Sequence, residues 1–534
     1  MEFISPEDLW QIITTGSEEY SIIDVREEGS FANSHLLLAS NAPLNELELI
    51  IAKLVPRKTT PIILCDATGR DHNGAPKAFE TLRKQRYKNL KILRGGISKW
   101  KEAGFSLYSG IHVVSKAFGE YVEEKYQTPH VTPADLSQVL EDTKKNVVVL
   151  DSRPKDEFFR MSLPNAINIP GAELVHRIQE VAPDPKTLVV INCAGRTRSI
   201  IGAQSLINAG LQNDVIALEN GTMGWHLAGL PLATRQETFL PKTHATGRSW
   251  SVKSSIEVAR RTQLELISWQ TLQKLKDQEE QYTLYFLDVR TPEEFCAGHL
   301  PGARSAPGGQ LVQATDKFIG THRARVVLTC DNGTRSRMTA SWLVQMGQTN
   351  VLVLDADYQE FSLVHDEGPE EEELPHFAQS ISARALSEMP SGTPKTILDF
   401  ANSREYKHGH IPGSWFIIRS DLDRYLTEFS QSNLLILTSP DGKLAALACQ
   451  DLVNRTTAKI MLLEGGTESW IQAGYPLSSG SEQMISQDND VYQLPYDYGP
   501  DEKERQMKAY LDWETGLLEK IKRDPSINFI ELID

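Results

Sequence analysis

The chain has 534 residues, with 71 acidic against 55 basic side chains and a formal net charge of −16. That length exceeds one compact domain and points to three to five, at roughly 100–200 residues each. The acidic balance opposes binding to nucleic acid or to an anionic membrane surface, and no stretch approaches the roughly 18 apolar residues that span a bilayer.

The first predicted element, MEFISPEDLWQIITTG, reads as an amphipathic helix capped by Ser5. It lacks the basic and apolar regions of a secretion signal, so a cytoplasmic location with reduced thiols is expected. The five cysteines, Cys65, Cys193, Cys296, Cys330 and Cys449, are odd in number and widely spaced. They suggest no disulfide framework, and no CxxC pair or nearby His suggests a metal site.

Four strand-like runs follow in chain order: SIIDVR (21–26), VVVLDSR (147–153), LYFLDVR (284–290) and KTILDFA (395–401). Each is apolar and carries an aspartate at its end: Asp24, Asp151, Asp288 and Asp399. A second apolar run succeeds each one: PIILC, LVVINC, RVVLTC and LLILTS. The last residues of these runs, Cys65, Cys193, Cys330 and Ser439, lie 41, 42, 42 and 40 positions after the aspartates. Such regularity marks a repeated unit.

Turn motifs keep the same register, GHLPGA (298–303) and GHIPGS (409–414), with degenerate forms SHLLLAS and SLPNAIN in units one and two. The units close on LRGGISKWKEAGF, LENGTMGWHLAGL, LDADYQEFSLV and LEGGTESWIQAGY, the third without glycines or tryptophan. Between these landmarks, segments such as PADLSQVLED and KAFETLRKQR have helical spacing. Strands alternating with helices predict an α/β class, with a small, mostly parallel sheet flanked by helices in each unit.

The expected domains span 1–110, 129–235, 263–365 and 377–480. Polar stretches near 111–128, 236–262 and 366–376 separate them, the last with the acidic run DEGPEEEE read as a solvated linker. Residues 481–534 form a helical tail, in which EKERQMKAYLDWETGLLEKIKR reads as one amphipathic helix against a neighbouring domain.

The loop CAGRTRS (193–199) stands between a strand and a helix, at the sheet edge where ligands of parallel α/β units bind. Backbone N–H groups of such a loop and the helix N-terminus both favour a thiolate at Cys193. Arg196 and Arg198 add fixed positive charge for an anionic substrate. The alternative is a buried structural cysteine beside solvent-facing arginines. The recurrence of Cys65 with Arg70 and Cys330 with Arg335, each five residues apart like Cys193 and Arg198, weakens it.

Taken together, the Asp-x-Arg strand end, the GHxPGA turn, the cysteine loop and the GGxxxW close resemble the rhodanese superfamily, the thiosulfate sulfurtransferases and their relatives. The resemblance implies that the loop cysteine attacks the outer sulfur of an anionic donor such as thiosulfate and holds it as a persulfide. The acceptor is then a thiol or cyanide, a protein persulfide is a further candidate partner, and neither an organic cofactor nor a metal is implied. By position, Cys193 is the first nucleophile, ahead of Cys330 and Cys65. Gly195, Thr197 and Ser199 shape its substrate loop with Arg196 and Arg198, and Arg335 and Arg70 are their counterparts. Related phosphatases place cysteine and arginine six positions apart, so the five-residue spacing favours sulfur transfer.

The units differ. Asp66 and Asp71 in unit one oppose a dianionic donor, and unit three carries Asp331 and lacks the closing glycines. Unit four has Ser439 and Leu444 in place of cysteine and arginine, and so forms no persulfide. Cys449 and Cys296 read as structural. The strand-end Asp and Arg residues read as ion pairs bracing loops, and His299 and His410 as turn residues bonding backbone. The rival readings are a catalytically silent or regulatory scaffold and a sulfur relay between domains.

Overall fold

The computed structural model describes every residue except 70–73, 240, 366–378, 391, 430–432, 454 and 534. Among the described residues the chain forms four five-stranded sheets, one per repeat, and every strand pairing within them is parallel. Each sheet has the spatial order first, fifth, fourth, second, third. In unit two these are His130–Val131, Val215–Leu218, Leu188–Asn192, Val147–Asp151 and Ile167–Asn168.

The central strands are continuous apolar runs because helices cover both faces. Every residue of Leu284–Asp288 is buried, for example. The first helix of each unit starts at a hydroxyl cap, with Ser5, Thr132, Ser268 and Ser382 accepting from the amides of Asp8, Asp135, Thr271 and Ala385. These caps satisfy amides that the helix itself leaves unpaired.

Two of the polar boundary stretches contain helices. Val113–Tyr126 packs against helix Thr197–Asn208 of unit two, and its Phe118 and Val122 join a core shared with unit three. Ala245–Arg261 packs against helices Leu174–Val181 and Thr334–Gln345. The acidic run at 366–373 lies outside the described residues.

The tail forms two helices, Pro500–Thr515 and Leu517–Ile521, interrupted at Gly516. It touches all four units in turn. Met484 pairs with Phe416 of unit four, Asn489 accepts from the Gly29 amide of unit one, Tyr496 bonds Thr222 of unit two, and Ile530 donates to Gln345 of unit three.

Candidate active site

The strand-end aspartate organises each cysteine loop from below. In unit two Arg153 donates to both Asp151 oxygens at 2.9 and 2.7 Å, and also to the Met161 carbonyl at 2.6 Å. Asn192, the residue before the cysteine, donates to Asp151 Oδ2 at 2.8 Å. Arg26 and Arg290 repeat this clamp on Asp24 and Asp288, reaching the carbonyls of Ser34 and Gly298. These are bracing pairs, with their hydrogen bonds spent on structure. Unit four has Ala401 in the arginine position, and burial pushes the Asp399 carboxyl up to about 7.

The glycine-rich close supports the loop from above. Thr222 N–H donates to the Cys193 carbonyl at 2.9 Å and Met223 N–H to the Ala194 carbonyl at 3.1 Å. This approach requires Gly221, which has φ +53° and whose added Cβ would lie 2.4 Å from the Cys193 carbonyl oxygen. Gly96 and Gly466 make the same approach to the carbonyls of Asp66 and Ser439. The closing segment of unit three has no such glycine, and there the Tyr358 hydroxyl bonds Asp288 at 3.1 Å and Thr329 at 3.2 Å.

Cys193 is 2% exposed, at the end of strand Leu188–Asn192. Its thiol donates to Ser199 Oγ at 3.4 Å, and Ser199 donates onward to the Arg196 carbonyl at 2.8 Å. Arg198 makes a bidentate pair with Glu157, at 2.7 and 2.9 Å. Arg196 turns to the helix Val113–Tyr126, where it pairs with Glu120 at 2.7 and 2.8 Å and with Glu123. Gly195 and Thr197 face the tail. Thr197 Oγ1 donates to Glu514 Oε1 at 2.8 Å, and Tyr510 and Leu511 lie over Gly195.

The other loops are closed in different ways. In unit one the Asp66 carboxylate folds into its own loop, accepting from the amides of Thr68, Gly69 and Ala75. Burial, with the Asp24 charge added, pushes the Cys65 thiol well above its ordinary range. Arg70 and Asp71 lie outside the described residues. In unit three Ser336 N–H donates to Cys330 Sγ at 3.4 Å, as a thiolate nest requires. Its Arg335, however, is wholly buried among Glu173 of unit two, Glu294 and Asp331. In unit four Ser439 Oγ accepts from Ala445 N–H at 3.2 Å.

The turn histidines bond backbone. His299 and His410 place Nδ1 at 3.0 and 2.8 Å from the carbonyls of Phe295 and Tyr406, whose rings they stack upon. A cleft of about 740 Å³ opens between units two and three, with Glu157, Phe239, Arg290 and Pro307 among its lining residues. Among the described residues there is no cluster of His, Cys, Asp or Glu fit to hold a metal ion, and no helix long and apolar enough to cross a membrane.

The Rhodanese-like domain family model matches residues 5–103, 132–228, 268–363 and 382–473. The chain belongs to the rhodanese family.

This rhodanese is similar over the full length of both chains to a thiosulfate sulfurtransferase from Pseudomonas aeruginosa, with 40% sequence identity and a TM-score of 0.91. Single stretches match two further relatives. One is an HTH-type transcriptional regulator of Mycobacterium tuberculosis, 35% identical over 86 residues, or 16% of this chain and 37% of that protein. The other is the uncharacterized protein YqhL of Bacillus subtilis, 37% identical over 75 residues, or 14% of this chain and 58% of that protein. The rhodanese thus covers less than two thirds of either of these two relatives.

Sequence reasoning missed the carboxylates of the site. Glu157 and Glu294 each lie six residues after the strand-end aspartate and pair with Arg198 and Arg335, so aligning the repeats exposes them. Glu120, Glu123, Tyr510 and Glu514 come from outside the rhodanese repeats, where no internal alignment reaches.

Proposed function

We propose that this rhodanese is a thiosulfate-type sulfurtransferase acting through Cys193. The Cys193 thiolate attacks the outer sulfur of the donor, the donor's sulfur–sulfur bond breaks, and its electron pair leaves with sulfite. The resulting persulfide is then attacked at its outer sulfur by a thiol or cyanide, and the thiolate is regenerated. No organic cofactor enters, since the sulfur travels on the protein.

The observation that carries this reading is the contrast among the cysteine loops. Among the described residues, the Cys193 loop keeps both the glycine-supported backbone and an arginine, Arg198, contacting a cleft-lining carboxylate. Asp66 fills the loop of unit one, and Arg335 is buried at the interface of units two and three. The full-length similarity to a thiosulfate sulfurtransferase supports the same chemistry. All five cysteines are free, which fits a compartment that keeps thiols reduced, the cytoplasm.

Mass spectrometry after thiosulfate treatment tests the proposal. The Cys193 peptide is expected to gain one sulfur atom, and Cys193→Ser is expected to abolish thiocyanate formation from cyanide. Unchanged turnover in that variant would exclude Cys193 as the nucleophile. No adduct on Cys65, Cys193 or Cys330 would favour a silent scaffold, the reading to which Ser439 and the filled loop of unit one lend weight.

A further inference from the structure

The roof over the Cys193 loop comes from the C-terminal helix Pro500–Thr515, which lies outside the four repeats. Glu514 on this helix is 1% exposed. Its Oε1 accepts from Thr197 Oγ1 at 2.8 Å, on the first residue of the helix that follows the cysteine loop. Lys116 Nζ supplies a counter-charge 3.6 Å from Oε1. Glu514 Oε2 accepts no hydrogen bond from the described residues, and lies 3.1 Å from where a Cβ on Gly195 would stand, at the centre of the loop. A buried carboxylate oxygen left without a donor is costly. Here it is aimed at a loop built to hold an anion.

We infer that the Glu514 carboxylate is a resident occupant of the mouth of the Cys193 loop, which an anionic donor must displace, so that the C-terminal helix sets the charge selectivity of the site. Unit one also places a carboxylate at its cysteine loop, but there Asp66 accepts from amides of the loop itself. The difference is one of exchangeability. Asp66 is part of the loop, whereas Glu514 arrives on a separate helix whose apolar contacts to the site run through Met507 and Leu511 against Met223 and Ala194. Of the cations near Cys193, Arg153, Arg196 and Arg198 are each paired with other carboxylates, which leaves Lys116 as the counter-charge to Glu514.

The inference rests on the reading that an anionic donor reaches Cys193, and its test needs neither donor nor acceptor. The rates at which anionic iodoacetate and neutral iodoacetamide alkylate Cys193 are compared by peptide mass spectrometry, with exposed Cys296 as the internal reference. In the unmodified protein the iodoacetate-to-iodoacetamide ratio at Cys193 is expected to fall below that of free glutathione. Glu514→Gln keeps an acceptor for Thr197 and removes the charge, and is expected to raise the ratio roughly five- to tenfold. Glu514→Asp, which keeps the charge, is expected to leave it low, and the ratio at Cys296 is expected not to move. A ratio unaltered by Glu514→Gln, or one in the unmodified protein above that of glutathione, overturns the inference. If the ratio responds as expected and thiosulfate leaves no sulfur on Cys193, the sulfurtransferase reading fails and the charge selectivity stands.

Discussion

Arg198 and Glu157 form a bidentate pair beside the Cys193 loop, and Arg335 pairs with Glu294 at the equivalent positions of unit three. A planar guanidinium suits such two-point contact better than an ammonium does. Arg198→Lys is therefore expected to raise the KM for thiosulfate by about 10-fold or more, on the order of one charge-assisted hydrogen bond. Steady-state kinetics with thiosulfate varied at fixed cyanide would read this, and an unchanged KM would remove Arg198 from donor binding. Asp399 makes a prediction about pH. Its carboxyl titrates near 3.8 in the unfolded chain and at about 7 in unit four, because burial is uncompensated by an arginine. Between these values the folded state holds the extra proton. Unit four therefore loses stability as pH rises from about 4 to 7, by about 1.4 kcal/mol for each unit between the two pKa values. Asp399→Asn is expected to abolish that loss, seen as slower hydrogen exchange in strand Leu434–Thr438 at pH 8 and little change at pH 4.

At the scale of elements, the closing helix and the cysteine loop act as one piece. Gly221→Ala would force a Cβ to 2.4 Å from the Cys193 carbonyl in a left-handed conformation, and is expected to cost about 2–3 kcal/mol in unfolding free energy and to displace Cys193. Gly229 is the control, with φ +74° and open space around it. Gly229→Ala is expected to cost only about 1 kcal/mol of conformational strain and to leave sulfur transfer intact. Equal melting-temperature losses in the two variants would contradict the close-approach argument. The boundary helix Val113–Tyr126 reaches the same loop, since it supplies Glu120 and Glu123 to Arg196.

At the scale of the molecule, units two and three meet through charges as well as apolar surface. Arg335 of unit three is fully buried and pairs with Glu173 of unit two at 2.8 Å. Removing one partner of a buried pair leaves an uncompensated charge. Arg335→Met is expected to destabilise the chain by about 3 kcal/mol, and Glu173→Gln in the same chain to recover part of that loss. Urea unfolding of the two single variants and the double variant measures the coupling, and strict additivity would show that the pair does not hold the interface. The tail works at this scale too, because it contacts units four, one, two and three in succession before its end.

The sequence by itself determined the repeat, the α/β class, the alternation of strands and helices within each unit, and the position of each candidate nucleophile. These follow from local signals: apolar runs, cap residues, and the distance from Asp151 to Cys193 repeated in its sister units. It also places Ser439 where the sister units have cysteine, so unit four lacks the sulfur atom that a persulfide needs. What only the tertiary structure decided is what covers each loop and what charge surrounds it. Arg196 reads as a donor clamp in CAGRTRS, yet its partners Glu120 and Glu123 lie more than seventy positions away on a helix that looks like a linker. Glu514 is more than three hundred positions from Thr197, in a segment with no sister copy to align. Periodicity reports which side chains turn inward within an element. Electrostatic contact depends on distance through space, and that distance exists only once the four units and the tail have packed together.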